Sequence, residues 1–180
     1  LYQGAKGGMN MDFQDLIVSR YSVRSYKSDA IPPETLQAVL EAGRLAPTAA
    51  NRQAFRIMVL QTKDAKDRLL EIYRSEWFVQ PPIVLAVVSL PQEAWVRRDG
   101  KSYSDVDAAI VMDHMVLAAA NLGLGTCWIG AFDLDKARAN LSLPAEVEPV
   151  AFTPLGFPGD SGGAKKRKEL DEIVIYDTWK

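Results

Sequence analysis

Apolar positions recur along this chain in two rhythms, one near 3.6 residues and one near two, and together they lay out most of its elements. Phe13, Leu16 and Ile17 share one face of a predicted helix over 12–20, after which 22–26 leaves as an extended turn. A second helix opens at Pro32, Pro33 and Glu34, because proline is pre-shaped for a first helical turn. It carries Leu36, Val39, Leu40 and Gly43 at helical spacing and stops at Pro47. Residues 48–54 form a loop, 55–60 a strand and 64–74 a helix. The run 83–89 is continuously apolar and rich in β-branched residues between Pro81-Pro82 and Pro91, the pattern of a strand covered on both faces. A polar loop over 92–103 precedes the longest predicted helix, 104–122. The turn Gly123-Leu124-Gly125 then leads into a strand over 126–132, a short capped helix over 133–141 and a strand over 147–155. A polar loop over 158–168 and a last short strand over 173–176 complete the reading.

Helices and strands mix without strict βαβ alternation, which favours an α+β sandwich over a doubly wound sheet. The long helix adds a quaternary question. Val106, Ala109, Ile110, Leu117 and Ala120 make one apolar face, while Met112, Met115, Ala119 and Leu122 make a second. Such a helix is covered on two sides, either entirely by its own chain or on one side by a second copy.

Composition narrows the function. At 180 residues and 19.9 kDa, the chain suits a single domain with a real core. The formal net charge of −2 leaves no basic excess for a nucleic-acid backbone, so any bound anion is expected to be small. One cysteine, Cys127, excludes an intramolecular disulfide and favours a reducing, cytoplasmic setting, and with one histidine it cannot build a structural zinc site. No membrane anchor is visible: the most apolar stretch, 108–122, is interrupted by Asp113 and His114. Residues 1–8 have no helical or strand period, and Leu-Tyr-Gln-Gly resembles a protease-cleavage remnant lacking its phenylalanine, so this segment is set apart from a domain over 9–180.

Four features carry candidate chemistry. In Arg20-Tyr21-Ser22-Val23-Arg24, two guanidinium groups and hydroxyls gather where a helix gives way to extended chain; arginine forks match phosphate oxygens, although a solvated helix end reads the same way. Pro47, Thr48, Ala49, Asn51 and Gln53 belong to a loop of small and amide side chains that either approaches a ligand or merely turns the chain. Around Trp128, Ile129, Gly130 and Ala131, a glycine in strand context marks either a bulge or the close approach of a flat ligand; the paired glycines precede the strand, so this is no dinucleotide fingerprint. The basic run 165–168 is a solvated segment by default, yet its sign suits a shared phosphate site with Arg20 and Arg24. Cys127 and His114 are read as core or interface residues rather than as a nucleophile and its base.

Taken in order, RYSVRSY (20–26), APTAANRQAF (46–55), GLGTCWIGAF (123–132), LGFP (155–158) and KKRK (165–168) resemble the FMN-dependent nitroreductase family over 12–180. The resemblance implies a three-layer α+β sandwich, a central and mostly antiparallel sheet flanked by helices, in an intertwined homodimer with FMN at the subunit interface. It implies that Arg20, Tyr21 and Ser22 meet the FMN phosphate and ribityl region, that Lys165 and Arg167 complete the phosphate site, and that Arg24 approaches N1 and O2 of the ring. Pro47, Thr48, Ala49, Asn51 and Gln53 are expected to reach the flavin of the opposite subunit. Trp128, Ile129, Gly130 and Ala131 are expected along the isoalloxazine, with the Gly130 N–H near N5. The chain departs from the family at Pro47-Thr48-Ala49, where Pro-Ser-Ser is common, and at Gln53-Ala54-Phe55, where Gln-Pro-Trp is common. The implied activity is NAD(P)H-driven, two-electron reduction of a nitroaromatic, quinone or similar electron-poor acceptor, with no metal and no catalytic side chain beyond those that tune the flavin. A specialised dehydrogenase or dehalogenase of the same fold, or a non-catalytic flavin-binding protein, would keep the same site.

Overall fold

The computed structural model describes residues 11–179, so the segment 1–8 set apart above lies outside the described residues. At its centre is a four-stranded sheet built from β1 (Phe55–Gln61), β2 (Ile83–Ser89), β3 (Gly125–Thr126) and β4 (Glu148–Gly156) in the order β1-β2-β4-β3, with every neighbouring pair antiparallel. Around it lie α1 (Phe13–Ser19), α2 (Pro33–Arg44), α3 (Thr62–Ile72), α4 (Ser104–Asn121), α5 (Leu134–Asn140) and α6 (Leu170–Ile173).

Side-chain alternation along β2 divides the interior into two cores. Ile83, Leu85 and Val87 face a layer that includes Val39 of α2 and Val111, Met112 and Met115 of α4. Val84 and Ala86 face the opposite layer, with Leu69 and Ile72 of α3, Ala137 of α5 and Phe78 from the 3-10 turn Glu76–Val79. Every residue of β2 is buried, which is why its sequence is continuously apolar instead of alternating. The three-layer α+β sandwich is therefore set by a strand with no face for water.

Local chemistry accounts for the helix ends. The Asp12 carboxylate accepts the Asp15 N–H at 2.9 Å to open α1, and Asp133 does the same for Lys136 at 3.0 Å to open α5. Pro33 starts α2, where a missing N–H costs nothing. Along α2, Gly43 lets α4 come close: a Cβ there would lie 2.8 Å from Met115 Cγ and 2.9 Å from Ile57 Cδ1.

Helix α4 is apolar on two sides, as expected, and its sides differ. Met112, Met115 and Ala119 are buried in the first core, whereas Ala109, Ile110, Leu117 and Ala120 are half-buried and Val106 is exposed. Two expectations need correction. The strand over 126–132 stops at Thr126, because the next amide, Cys127 N–H, donates to the Thr153 hydroxyl at 3.0 Å instead of to the β4 backbone; pairing returns only at Ile129 opposite Phe152. The strand over 173–176 is replaced by α6 and an exposed tail. A reciprocal cap between Glu169 and Glu172 opens that short helix, and the tail pairs with no strand among the described residues. Among the described residues, no helix is long and apolar enough to cross a membrane.

Phe152 of β4 is fully buried and meets Phe132 and Phe78 edge-on at centroid distances of 4.8 and 6.5 Å. Phe152→Ala is expected to cost ~3–5 kcal/mol of stability and Phe152→Leu clearly less, read from urea unfolding curves. Equal loss in both variants would mean that the aromatic contacts, and not filled volume, carry this stability.

Candidate active site

The segment 20–26 is extended, as expected, and is stitched to the sheet's β3 edge. Ser22 bridges Thr126 in parallel, and the Val23 N–H donates to the Thr126 carbonyl at 2.9 Å. Gly125 makes this approach possible, since a Cβ there would sit 2.7 Å from Val23 Cγ2, inside a buried contact. Further along, the Tyr26 hydroxyl donates to the Val23 carbonyl at 2.9 Å, and Gly159 N–H donates to the Ser25 carbonyl at 2.8 Å. Residues on both sides of Val23 are thereby held outward on a fixed ribbon, and Arg20, Ser22 and Arg24 alternate with buried Val23.

Lys165 joins Arg20 from the other end of the chain. Its ammonium donates to the Ile17 carbonyl at 2.7 Å, in the last turn of α1, where Arg20 is the C-cap residue. Desolvation holds the Lys165 pKa below the ordinary lysine range, and the positive charges of Arg20 and Arg167 hold it down further. None of Arg20, Arg24, Lys165 and Arg167 forms an ion pair among the described residues. Cations that crowd one another without an ion pair make a local field that attracts anions. Beside them lies a cleft of about 270 Å³ lined by Ser19, Arg20, Tyr21, Ala120, Gly123 and Gly125, among others, where the C-terminal end of α4 meets β3.

Tyr21 takes a supporting role in this geometry. Its hydroxyl donates to the Asp160 carbonyl at 2.7 Å and to Asp160 Oδ1 at 3.0 Å, and a Cβ on Gly162 would meet its ring at 2.6 Å. These contacts fasten the loop that carries Lys165 and Arg167. Burial and the Asp160 carboxylate raise the Tyr21 pKa, so the phenol stays a proton donor. Neither Asp160 nor Gly162 stood out in sequence, because each acts through a partner about 140 residues away.

Arg24 stands over the Trp77 ring at 5.8 Å from its centroid, a cation–π contact between the ribbon and the turn Glu76–Val79. Cys127 lies against the same group. Burial pushes its thiol pKa up, while Arg24, the Ser22 hydroxyl and Arg20 pull in the opposite direction. Beyond Cys127 the chain presents Trp128 (43% exposed), Gly130 and Ala131 to the outside. Ile129 does not join them. Its side chain lies in the second core, and both its backbone groups pair with Phe152, at 2.8 and 3.0 Å. A Cβ on Gly130 would meet only Trp128 Nε1, at 4.0 Å, so the glycine leaves its backbone open to a flat molecule.

The loop 48–53 lies elsewhere. The Ala49 N–H donates to Asp107 Oδ1 at 2.9 Å, which ties the loop to the first turn of α4. Ala50, Asn51 and Gln53 have φ of 50°, 51° and 52°, a left-handed conformation that costs non-glycine residues ~1–3 kcal/mol each and clusters at binding sites. Gln53 is further held by its N–H to Thr48 Oγ1 at 3.0 Å. From Asp107 to Ala120 in the cation cleft is roughly 20 Å along α4 at the helical rise of 1.5 Å per residue. Within one chain, the two halves of the expected site sit at opposite ends of the longest helix.

Comparison with known proteins identifies the fold. The sequence matches the family model described as the Nitroreductase family over residues 17–83 and 73–157. The chain belongs to the nitroreductase family. A solved nitroreductase family protein from Clostridium difficile 630 is 34% identical, with a TM-score of 0.86 over 94% of this chain and 100% of that one. An FMN-dependent nitroreductase from C. difficile R20291 shares the fold at 21% identity, with a TM-score of 0.76 over 91% of this chain and 98% of that one. An NADH dehydrogenase of Thermus thermophilus is 25% identical over 197 residues, spanning 92% of this chain and 96% of its own. Placed on this nitroreductase fold, the five sequence blocks resolve into the ribbon, the strained loop, the β3 edge with its open glycine, the end of β4 and the cationic loop.

The electrostatics give a direct check. If Arg20 crowds Lys165, Arg20→Gln raises the Lys165 pKa part of the way back toward the ordinary lysine value, leaving the larger share due to desolvation. A phosphate bound to the parent protein raises it too. Affinity for that anion is therefore full below the free-state pKa of Lys165 and declines as pH rises from there to the bound-state pKa. NMR titration of the lysine side chains reads both effects, and an unchanged Lys165 pKa in Arg20→Gln would separate the two cations.

Proposed function

We propose that this chain is an FMN-dependent NAD(P)H oxidoreductase that reduces nitroaromatic, quinone or related electron-poor acceptors, working as a homodimer with composite cofactor sites. One observation carries the assembly. The cation cleft and the strained loop lie at opposite ends of α4, and α4 exposes a lengthwise face of Val106, Ala109, Ile110, Leu117 and Ala120. Two copies packed antiparallel along that face bring the loop of each to the cation cleft of the other. The apolar surface of α1 (Phe13, Val18) and of the tail (Leu170, Ile173, Ile175, Tyr176, Trp179) is exposed on a single chain and suits the same partner. The names of the relatives support the cofactor and the reductant.

The residues present fit FMN. Arg20, Lys165 and Arg167 form a cation cluster without ion pairs among the described residues, of the right sign for a phosphate, with the Ser22 hydroxyl next along the ribbon. Arg24, oriented by Trp77, supplies a charge that stabilises negative charge at the N1 and O2 edge of the ring. Gly130 leaves its backbone open to the ring, and its N–H is the donor for N5. Thr48, Ala49, Asn51 and Gln53 from the partner close the other side, while Trp128 and Ala131 line the surface where nicotinamide and acceptor alternate. Bound FMN supplies two-electron hydride chemistry, so the chain needs no acid–base pair of its own. Residues 9–180 act as one domain in this reading, and a reducing cytoplasm matches the single buried thiol.

Cofactor released from the purified protein is expected to be FMN by mass spectrometry, and light scattering is expected to give about twice the chain mass. Recovery of FAD, or of no flavin after reconstitution, would end this reading. Arg20→Ala should weaken FMN binding by roughly ten- to a hundredfold and leave the bound flavin nearly normal in reactivity. Arg24→Ala at full occupancy should lower the midpoint potential and slow reduction by NADH and NADPH. An unchanged potential and rate would place Arg24 outside the ring's reach.

The composite site has its own test. Heterodimers of Arg20→Ala with a Gln53→Ala, Asn51→Ala chain contain one site with every lesion and one with none. They are expected to recover half of the tight FMN sites that both parent homodimers lack, as counted by equilibrium titration. Sites built within one chain would recover none.

A further inference from the structure

Asp107, in the first turn of α4, is 1% exposed and was not singled out by any motif. Its Oδ1 accepts the Ala49 N–H at 2.9 Å, while its Oδ2 is enclosed and has no hydrogen-bond partner among the described residues. A buried carboxyl with half its accepting capacity unmet is a poor way to stabilise a helix, and an apolar residue of the same size would pack there at lower cost. What the carboxyl does that an apolar residue cannot is hold an N–H. That N–H opens the stretch in which Ala50, Asn51 and Gln53 are all left-handed, three of the five non-glycine positive φ angles among the described residues. The loop's other bonds are mostly internal: Asn51 N–H to the Thr48 carbonyl at 3.0 Å and Gln53 N–H to Thr48 Oγ1 at 3.0 Å. At its far end, the Leu90 N–H reaches the Ala54 carbonyl at 2.9 Å. Asp107 is thus the near-end anchor of a strained loop whose conformation its own sequence does not favour.

We propose that Asp107 is a positioning residue that latches loop 48–53 to α4 and preforms the surface the loop offers to the cofactor of the partner subunit. This rests on the composite site proposed above. A preformed loop lets FMN bind without ordering six residues at that moment, so the latch appears in affinity rather than in fold. The carboxyl touches no cofactor and acts only through Ala49.

Asp107→Leu keeps the volume and removes the acceptor, while Asp107→Asn keeps an acceptor for Ala49. The two variants and the parent protein are compared by amide hydrogen exchange at Ala49, by FMN dissociation constant from flavin fluorescence, and by thermal midpoint. Expected for Asp107→Leu are faster Ala49 exchange and FMN binding weaker by about tenfold or more, at a thermal midpoint equal to or above the parent's. Asp107→Asn is expected to stay within about threefold of the parent in both binding and exchange. Should Asp107→Leu not fold, Ala49→Pro deletes the donor from the loop side, at a position where the preceding Thr48 is already extended (φ −131°, ψ 153°), and should give the same loss of affinity. FMN binding within twofold of the parent in Asp107→Leu or Ala49→Pro overturns the proposal, as does unchanged Ala49 exchange in Asp107→Leu or an equal loss in Asp107→Asn. A parent protein that binds no FMN would sink the cofactor reading alone, since the exchange comparison still decides whether the latch exists.

Discussion

Helix α4 is apolar on two sides at once, and the rest of the molecule is arranged around that constraint. One side supplies Val111, Met112, Met115 and Ala119 to the core between α2 and the sheet, and is sealed. The other side is apolar and only half covered by its own chain. Because α4 is also the longest helix, whatever is built at its two ends is far apart in one chain; the proposed dimer would bring such ends together across a two-fold axis. The cation cleft at Ala120 and the loop anchored at Asp107 are such a pair. In the proposed dimer, core packing and active-site assembly would therefore depend on the same element.

At the cleft end, charge is held in place by backbone and not by counter-charge. Segment 20–26 adds to the edge of a two-residue strand, fixed by Val23 against Gly125 and by the bridge of Ser22 to Thr126. The loop bearing Lys165 is fastened by Tyr21 and Asp160. Were an aspartate placed among these cations, it would satisfy them and compete with a phosphate. Without ion pairs among the described residues, Arg20 and Arg167 press on Lys165, a repulsion that the proposed phosphate would relieve. The loop end uses a different device, backbone strain held by a buried carboxyl. Both ends hold local free energy that the proposed cofactor would draw on, one electrostatically and one conformationally.

Much of this was legible in the one-dimensional pattern. The unbroken apolar run of β2 announced a strand covered on both faces, the two apolar stripes of α4 announced a helix with two sides to cover, and Asp12 and Asp133 marked helix starts, because these signals are local and follow from periodicity and capping. The ribbon 20–26, the loop 48–53 and the open Gly130 were likewise visible as clusters of residue types. Other features depend on partners distant in sequence. The strand after Thr126 stops because a hydroxyl from Thr153 captures the Cys127 amide, Ile129 turns into the core through its pairing with Phe152, and Trp77 orients Arg24 from more than 50 residues away. Asp107 looks in sequence like any acid in a first helical turn. Its meaning lies in a hydrogen bond to Ala49 and in the burial that leaves its second oxygen without a partner. Local rhythm names the elements; only packing decides which polar groups meet, since hydrogen bonding and burial are properties of pairs that the chain brings together when it folds.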